Sequence, residues 1–89
     1  MRAAEPTRKY ARDFRRIAKR GWPVERLDVV VEILCVSGVL PRTYSPHKLK
    51  GEWSDFWECH IAPDWLLIYA VSKDTVTLYR TGSHNDLFE

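Results

Sequence analysis

The stretch H-I-A-P-D-W-L-L-I-Y-A-V-S-K-D-T-V-T-L-Y-R-T-G-S-H-N-D-L-F, residues 60–88, decides the fold. It contains two apolar runs, residues 65–71 and 76–81, which are joined by a short polar segment. Short apolar runs bounded by turn-forming residues are typical of β-strands. Residues 53–61, just before the stretch, alternate well enough to predict another strand. The C-terminal part of the chain is therefore expected to form three antiparallel strands.

A two-residue turn at residues 73–74 sets the expected register of the last hairpin. With that turn, Leu67 faces Arg80 and Trp65 faces Gly82. The preceding turn folds the first of the three strands back to the same end of the sheet. The polar residues that this pairing gathers there are His60, Asp64, Arg80 and His84.

These polar groups suit cleavage of RNA without a metal ion. Imidazole titrates close to neutral pH, so histidines serve as general base and general acid. A base would remove the 2′-hydroxyl proton, the oxyanion would attack phosphorus, and an acid would protonate the leaving 5′-oxygen. Arg80 would stabilise the growing charge, while Trp65 and Phe88 offer rings on which a base stacks. The alternative for Trp65 is a place in the core. The alternative interpretation is a structural ion pair between Arg80 and Asp64 or Asp86.

The N-terminal half predicts helices. A helical period over about residues 9–20 is carried by Tyr10, Phe14, Ile17 and Ala18. Residues 23–37 contain several Val and Ile residues, whose β-branched side chains would also fit a buried strand. The length of the periodic pattern favours a second helix instead. Residues 3–8 are expected to form a tail or an edge strand, and residues 38–52 a connecting loop. The prediction is an α+β fold in one domain over residues 1–89.

Charge is distributed unevenly along the chain. Residues 1–26 hold nine of the 14 Lys and Arg and three of the 12 Asp and Glu, a balance of +6. Residues 27–89 have a balance of −4. This asymmetry suggests an anionic partner near the N-terminal part, such as nucleic acid, a ribosome or an acidic protein. The alternative is a well-solvated helix face.

Cysteine usage and hydropathy exclude several classes of protein. No apolar run approaches the ~20 residues that a membrane-spanning helix needs, and the N-terminus lacks a signal peptide, so we expect a cytoplasmic protein. Cys35 and Cys59 fit no metal-binding spacing and are expected to be buried thiols, with a disulfide left open. Cys59 and His60 are adjacent on a strand and point to opposite faces. Cys59 and His60 therefore cannot readily bind one metal ion together with Asp64 and His84. We expect no metal site, and no cofactor is expected either.

Three motifs resemble the signature of YafQ-type mRNA interferase toxins of the RelE/ParE superfamily. They are H-K-L-K-G (47–51), E-C-H-I-A-P-D-W-L-L-I-Y (58–69) and R-T-G-S-H-N-D-L-F (80–88). The N-terminal half agrees with this family only in length and helical pattern. The resemblance implies a short N-terminal strand, two helices, and then a three- to four-stranded antiparallel sheet.

The same resemblance implies the toxin of a toxin–antitoxin module. Such a toxin cuts mRNA in the A site of the 70S ribosome and is held inactive by a cognate antitoxin. The residues at the family's functional positions are His47, His60, Asp64, Arg80, His84 and Phe88. In this comparison His84 corresponds to the general acid and Arg80 to the group that stabilises the phosphate. The general base remains open among His47, His60 and Asp64, and Phe88 would lie against the mRNA.

The resemblance also gives the first helix a role, as a surface for ribosomal RNA or for an acidic antitoxin. Its candidate contact residues are Arg12, Arg15, Arg16 and Lys19. Two rival functions remain at this point. One is a non-catalytic relative that binds RNA or an antitoxin and acts in repression, and the other is a ribonuclease that needs no ribosome.

Overall fold

The computed structural model describes residues 1–88, so Glu89, the last residue of the predicted domain, lies outside the described residues. The helices and strands follow in the order β1 (Ala3–Pro6), α1 (Arg8–Lys19), α2 (Glu25–Ser37), β2 (His47–Lys48), β3 (Trp57–Ala62), β4 (Trp65–Val71), β5 (Thr75–Gly82) and α3 (His84–Phe88). None of these helices is long and apolar enough to cross a bilayer.

Helix α1 begins at a side-chain cap. The hydroxyl of Thr7 accepts a hydrogen bond from the Tyr10 N–H at 3.0 Å, which satisfies one of the free amides of the first turn. The buried face of the helix carries Tyr10, Asp13 and Ile17, a spacing of three and four residues. The predicted helix over 9–20 is confirmed, but a carboxylate on its apolar face was not expected.

Helix α2 confirms the second predicted helix within two residues of the expected start. Its buried side includes Leu27, Val30 and Leu34, so packing overrides the strand preference of its β-branched residues. It ends at Gly38, whose φ of 78° lies in the left-handed region that closes many helices.

The five strands form one mixed sheet in the order β1-β5-β4-β3-β2. Strand β1 runs parallel to β5, and every other neighbouring pair is antiparallel. The expected N-terminal strand and the four antiparallel strands after the helices are confirmed, and β1 joins the same sheet as a fifth, parallel strand. The apolar pattern alone predicted three of the antiparallel strands; the fourth, β2, is two residues long and lies inside the expected loop 38–52. So brief a segment has no detectable period in the sequence.

The register of the β4–β5 hairpin differs from the prediction by one residue at its far end. The turn itself is as expected, since Ser72 N–H donates to the Thr75 carbonyl at 2.9 Å. Farther along, Tyr69 pairs with Leu78 but Ile68 pairs with Arg80, which leaves Tyr79 as a β-bulge. Arg80 consequently faces Ile68 rather than Leu67. Likewise, Gly82 faces Leu66 and not Trp65.

The helices cover one face of the sheet and form the core with it. Cys59, Ile61, Leu67 and Tyr69 from the strands belong to the same buried cluster as residues of α1 and α2. Cys35 and Cys59 are both buried free thiols, as predicted. Burial raises the pKa of the Cys59 thiol to about 12, which keeps this thiol protonated at neutral pH.

Candidate active site

The face of the sheet opposite α1 and α2, here called the open face, carries most of the predicted site. Glu58 and His60 alternate along β3 with core residues, so their side chains lie on this face. Cross-strand pairing forms two rows, His47–Glu58–Ile68–Arg80 and His60–Leu66–Gly82. Ile68 and Leu66 are buried, so an apolar residue of β4 lies between the β3 and β5 positions of each row.

Arg80 is held in place by a carboxylate from α1. Its Nε donates to Oδ2 of Asp13 at 2.6 Å and its Nη2 donates to Oδ1 at 3.1 Å. This is a bidentate pair, which restricts the guanidinium plane as well as its position. The hydrogen bonding of Arg80 to the Asp13 carboxylate raises the pKa of Arg80 above its usual value, so the cation is permanent. The predicted alternative of a pair with Asp64 is wrong. Asp86 supplies only a backbone carbonyl, 3.5 Å from Nη2.

Asp13 is the residue that sequence reasoning missed. It is 2% exposed, and it accepts hydrogen bonds from Arg80, from Arg16 and from the backbone N–H of Thr81 at 3.2 Å. Strand β1 stops pairing with β5 at Leu78, and Asp13 meets the β5 edge beyond that point. A carboxylate three residues after Tyr10 and four before Ile17, on an apolar helix face, was the available signal.

His84 lies at the start of α3, directly after the end of β5. Ser83 and Asp86 cap this helix reciprocally: the Ser83 N–H donates to the Asp86 carboxylate at 2.9 Å, and the Asp86 N–H donates to the Ser83 hydroxyl at 3.1 Å. Gly82 permits the close approach, because a Cβ there would lie 3.0 Å from the Asp86 side chain. The Asp64 carboxylate accepts the His84 N–H at 3.0 Å. The predicted proximity of Asp64 and His84 is thus present.

A second bidentate pair ties α3 to α1. Arg20 donates to both carboxylate oxygens of Asp86, at 2.7 and 2.9 Å. This hydrogen bonding from Arg20 holds the pKa of Asp86 well below its usual range, with a further contribution from Ser83. Both Arg80 and the helix of His84 are therefore anchored to α1, through Asp13 and Arg20 respectively.

His47 and His60 lie on β2 and β3, across the open face from Arg80 on β5. His47 is exposed on β2, with its Nε2 3.1 Å from the Glu58 carboxylate and its Nδ1 3.2 Å from the Ser45 carbonyl. His60 lines a shallow pocket of about 550 Å³ together with Arg26 and Tyr44. In the described part of the chain, no hydrogen bond joins His60 to another predicted site residue.

The two predicted aromatic contacts differ in their surroundings. Phe88 is exposed, and its ring centroid lies 4.9 Å from that of His84. Trp65 is 3% exposed and packs against Trp22 at 5.1 Å. Its indole N–H donates to the buried Thr81 hydroxyl at 2.9 Å. Trp65 therefore supports the β4–β5 pair from inside the core and presents no open ring to a substrate, in contrast to the prediction.

The basic residues of α1 form a groove. A shallow pocket of about 480 Å³ is lined entirely by cationic side chains, Arg12, Arg15, Arg16, Lys19 and Arg20. Arg16 and Arg20 also pair with carboxylates, whereas Arg12, Arg15 and Lys19 are exposed on the helix surface. Such a surface attracts anionic partners.

Possible metal ligands are dispersed. Across residues 1–88, no group of three or more His, Cys, Asp or Glu side chains is arranged to hold a metal ion. Cys59 faces the helices and His60 lies on the open face, as the alternation of β3 predicted.

Comparison with known proteins identifies the family. A family profile described as "Bacterial toxin of type II toxin-antitoxin system, YafQ" matches residues 2–89. The mRNA interferase toxin YafQ of Escherichia coli strain K12 is 32% identical over 89 residues, covering 99% of this chain and 97% of that protein. The crystal structure of the E. coli DinJ–YafQ complex contains a chain that superposes with a TM-score of 0.91 at 29% identity, with 100% of both chains covered.

A relative from Helicobacter pylori is also similar. Its crystal structure, described as that of a metal-bound toxin, superposes with a TM-score of 0.90 at 39% identity and covers 99% of this chain and 100% of that one. These matches span the whole fold, including the N-terminal half in which the motifs are weak. The chain belongs to the YafQ family of bacterial type II toxin–antitoxin toxins.

Proposed function

We propose that this chain is a single-domain, ribosome-dependent endoribonuclease that cleaves mRNA in the ribosomal A site by general acid and base catalysis without a metal. The observation that carries the proposal is the anchoring of Arg80. Its Nε and Nη2 are committed to a buried carboxylate, while its Nη1 makes no hydrogen bond within residues 1–88. One edge of a rigid guanidinium is therefore available to phosphate oxygens.

Family membership makes the chain a toxin of a toxin–antitoxin system. The enzyme class predicted from the sequence, an endoribonuclease, is confirmed by the name of the E. coli relatives, mRNA interferase toxin. The solved DinJ–YafQ complex supports a protein antitoxin as the partner of this chain.

The geometry supports a division of labour between the two sides of the open face. His84 is proposed as the general acid, because it is exposed beside Asp64 and at the end of the strand that carries Arg80. His60 lies two strands from Gly82, which corresponds to about 10 Å at the usual strand spacing. A phosphodiester between the two imidazoles would have the base on one side and the acid on the other.

His60 is proposed as the general base over His47 and Asp64. Both ring nitrogens of His47 face oxygen acceptors, from Glu58 and Ser45, so the contacts of this ring favour donation. The Asp64 carboxylate already accepts a hydrogen bond from the backbone of His84. His60 makes no comparable contact in residues 1–88, which leaves its imidazole available to a 2′-hydroxyl.

The substitution His84→Ala tests the catalytic proposal. Cleavage in programmed ribosomes should fall on the order of 10²- to 10⁴-fold, the usual contribution of a general acid, while ribosome binding is retained. Asn85→Ala, at the exposed neighbouring position of α3, is the matched control and should cleave normally. Equal toxicity of wild type and His84→Ala in cells would remove His84 as the acid and favour the non-catalytic rival.

Incubation with naked mRNA and with programmed ribosomes, each with and without a chelator, tests the remaining parts of the proposal. Cleavage only on ribosomes and unaffected by the chelator is expected. Cleavage of naked mRNA would support the ribosome-independent alternative. Loss of activity in the chelator would contradict the metal-free mechanism, an outcome to check because the H. pylori relative was solved with a metal.

The groove on α1 is proposed as the contact surface for ribosomal RNA, in the cytoplasm where ribosomes are found. Replacing Arg12 and Arg15 with Glu should abolish ribosome binding at low salt, because each reversal removes a phosphate contact and adds repulsion. These two residues leave the Asp13 and Asp86 pairs intact, so folding should be preserved. Unchanged binding in a sedimentation assay would contradict this role.

A further inference from the structure

Three aromatic rings lie together on the open face, next to the proposed site. Phe56 and Tyr79 are 4.8 Å apart between ring centroids, and Trp53 lies 6.0 Å from Phe56 and 5.6 Å from Tyr79. Phe56 shares the strand parity of Glu58 and His60, so the cluster lies on the open face. None of the three belongs to the buried core or packs against it. The cluster is therefore separate from the core that the helices cover.

The β-bulge in β5 joins this cluster to the phosphate-binding residue. Tyr79 is the unpaired residue of the bulge and directly precedes Arg80. Bulges re-aim side chains, often beside active sites. Here the bulge allows Tyr79 to meet Phe56 from two strands away, while Arg80 reaches Asp13. An aromatic ring and an anchored guanidinium therefore lie side by side on the part of β5 that extends beyond its pairing with β1.

Cationic groups surround the rings on the side of α1. Lys9 Nζ lies 5.7 Å from the centroid of the Tyr79 ring, within the range of a cation–π contact. A small cavity of about 140 Å³ continues from there and is lined by Lys9, Arg12, Asp13, Arg16 and Arg80. Four of its five lining side chains are cationic, so the cavity favours an anion beside the rings.

We propose that Trp53, Phe56 and Tyr79 form a stacking platform for one base of single-stranded mRNA next to the cleaved bond, with the adjoining phosphate in the Lys9–Arg80 cavity. The inference rests on the proposed function for the identity of the ligand. Single-stranded RNA is recognised by the combination present here, partly exposed aromatic rings beside positive charge. A protein segment bound to the rings would be stabilised by the four neighbouring cations only if it were acidic. An acidic antitoxin is therefore the competing ligand.

The chain offers a closely matched control. Trp53 is 38% exposed and Trp57 is 37% exposed. Trp57 pairs with Tyr69 and lines a pocket with Leu40 on the helix-covered side of the sheet, away from the proposed platform. Trp53→Ala and Trp57→Ala thus remove similar exposed rings from opposite faces.

The test is the affinity of the purified toxin for a fluorescent 2′-O-methyl RNA hexamer, which cannot be cleaved because it lacks the attacking 2′-hydroxyl. Trp53→Ala should weaken binding about 5- to 150-fold, the range for loss of one base–aromatic stack. Phe56→Leu, which keeps apolar bulk, should weaken it in the same direction, and Trp53→Phe should restore most of the affinity. Trp57→Ala should stay within about twofold of wild type.

Two results would overturn the platform: unchanged hexamer affinity in both Trp53→Ala and Phe56→Leu, or equal losses in Trp53→Ala and Trp57→Ala. A loss of antitoxin affinity without a loss of RNA affinity would assign the rings to the antitoxin instead. Because the hexamer is uncleavable, its binding does not depend on catalysis. Cleavage by His84→Ala and hexamer binding by the Trp53 and Phe56 variants are separate measurements, so failure of the catalytic proposal remains distinguishable from failure of the platform.

Discussion

The two faces of the sheet are built from alternate residues of the same strands, yet they differ in composition and in exposure. On the helix-covered face, Cys59, Ile61 and Leu67 are almost fully excluded from solvent. On the open face, His60 and Glu58 lie beside the apolar residues Leu66 and Ile68 and are partly exposed. One face therefore contributes burial of apolar area to stability, while the other presents groups that titrate, donate hydrogen bonds or stack.

The separation of the faces has an instructive exception. Asp13 and Thr81 are the buried polar residues of residues 1–88, and both act where the faces meet, at the β5 edge. Thr81 joins the Trp65 indole to the Leu66 carbonyl, and Asp13 holds Arg80. Buried polar groups are tolerated when they are fully hydrogen-bonded. Through these hydrogen bonds, Asp13 and Thr81 connect the packed core to Arg80 and Leu66 on the open face.

The largest effect that separates the faces is expected from Leu67→Ala. Leu67 is 0% exposed, so truncation leaves a cavity and should lower the free energy of unfolding by about 2–5 kcal/mol. His60→Ala, on the opposite face of the neighbouring strand, should cost about 1 kcal/mol at most. Urea denaturation of both variants measures the difference. Similar losses in the two would contradict the assignment of stability to the helix-covered face.

An intermediate effect is expected from Asp13→Asn, which tests the link between the faces. The amide keeps an acceptor for the Thr81 N–H but removes the charge that binds Arg80, so unfolding should become easier by about 1–3 kcal/mol. Cleavage should lose kcat more than it raises KM, because the anchored guanidinium acts in the transition state. Asp28→Asn, an exposed carboxylate of α2, is the control. A normal kcat in Asp13→Asn would show that Arg80 needs no anchor.

The smallest effect is a pH dependence at the α1–α3 contact. The pKa of Asp86 is depressed in the folded chain by Arg20. Its contribution to stability is therefore present above the unfolded pKa of about 3.9 and lost as pH falls through the folded value. Asp86→Asn should lower the melting temperature at pH 7, and the difference from wild type should shrink progressively as the pH falls below about 3.9. A constant difference across this range would exclude the ionised pair as the cause.

Much of the fold could be predicted from the sequence because local patterns determine most of its helices and strands. The period of α1, the length of α2 and the turn at residues 73–74 predicted their elements, and the fold class is confirmed. Strand β2 has only two residues, and the five-residue helix α3 depends on a cap that was not recognised in S-H-N-D. The register error came from the bulge at Tyr79, since nothing local distinguishes a bulged residue from a paired one.

By itself, the sequence determined the α+β class, the three motifs, the excess of positive charge near the N-terminus and the gathering of His60, Asp64, Arg80 and His84 at one sheet end. Only the tertiary structure decided that Asp13 anchors Arg80 from 67 residues away, that Trp65 belongs to the core, and that Trp53, Phe56 and Tyr79 meet on the open face. Periodicity and turn chemistry act between near neighbours in the chain. An ion pair or an aromatic cluster depends instead on which distant elements pack together, and that packing is set by the whole core.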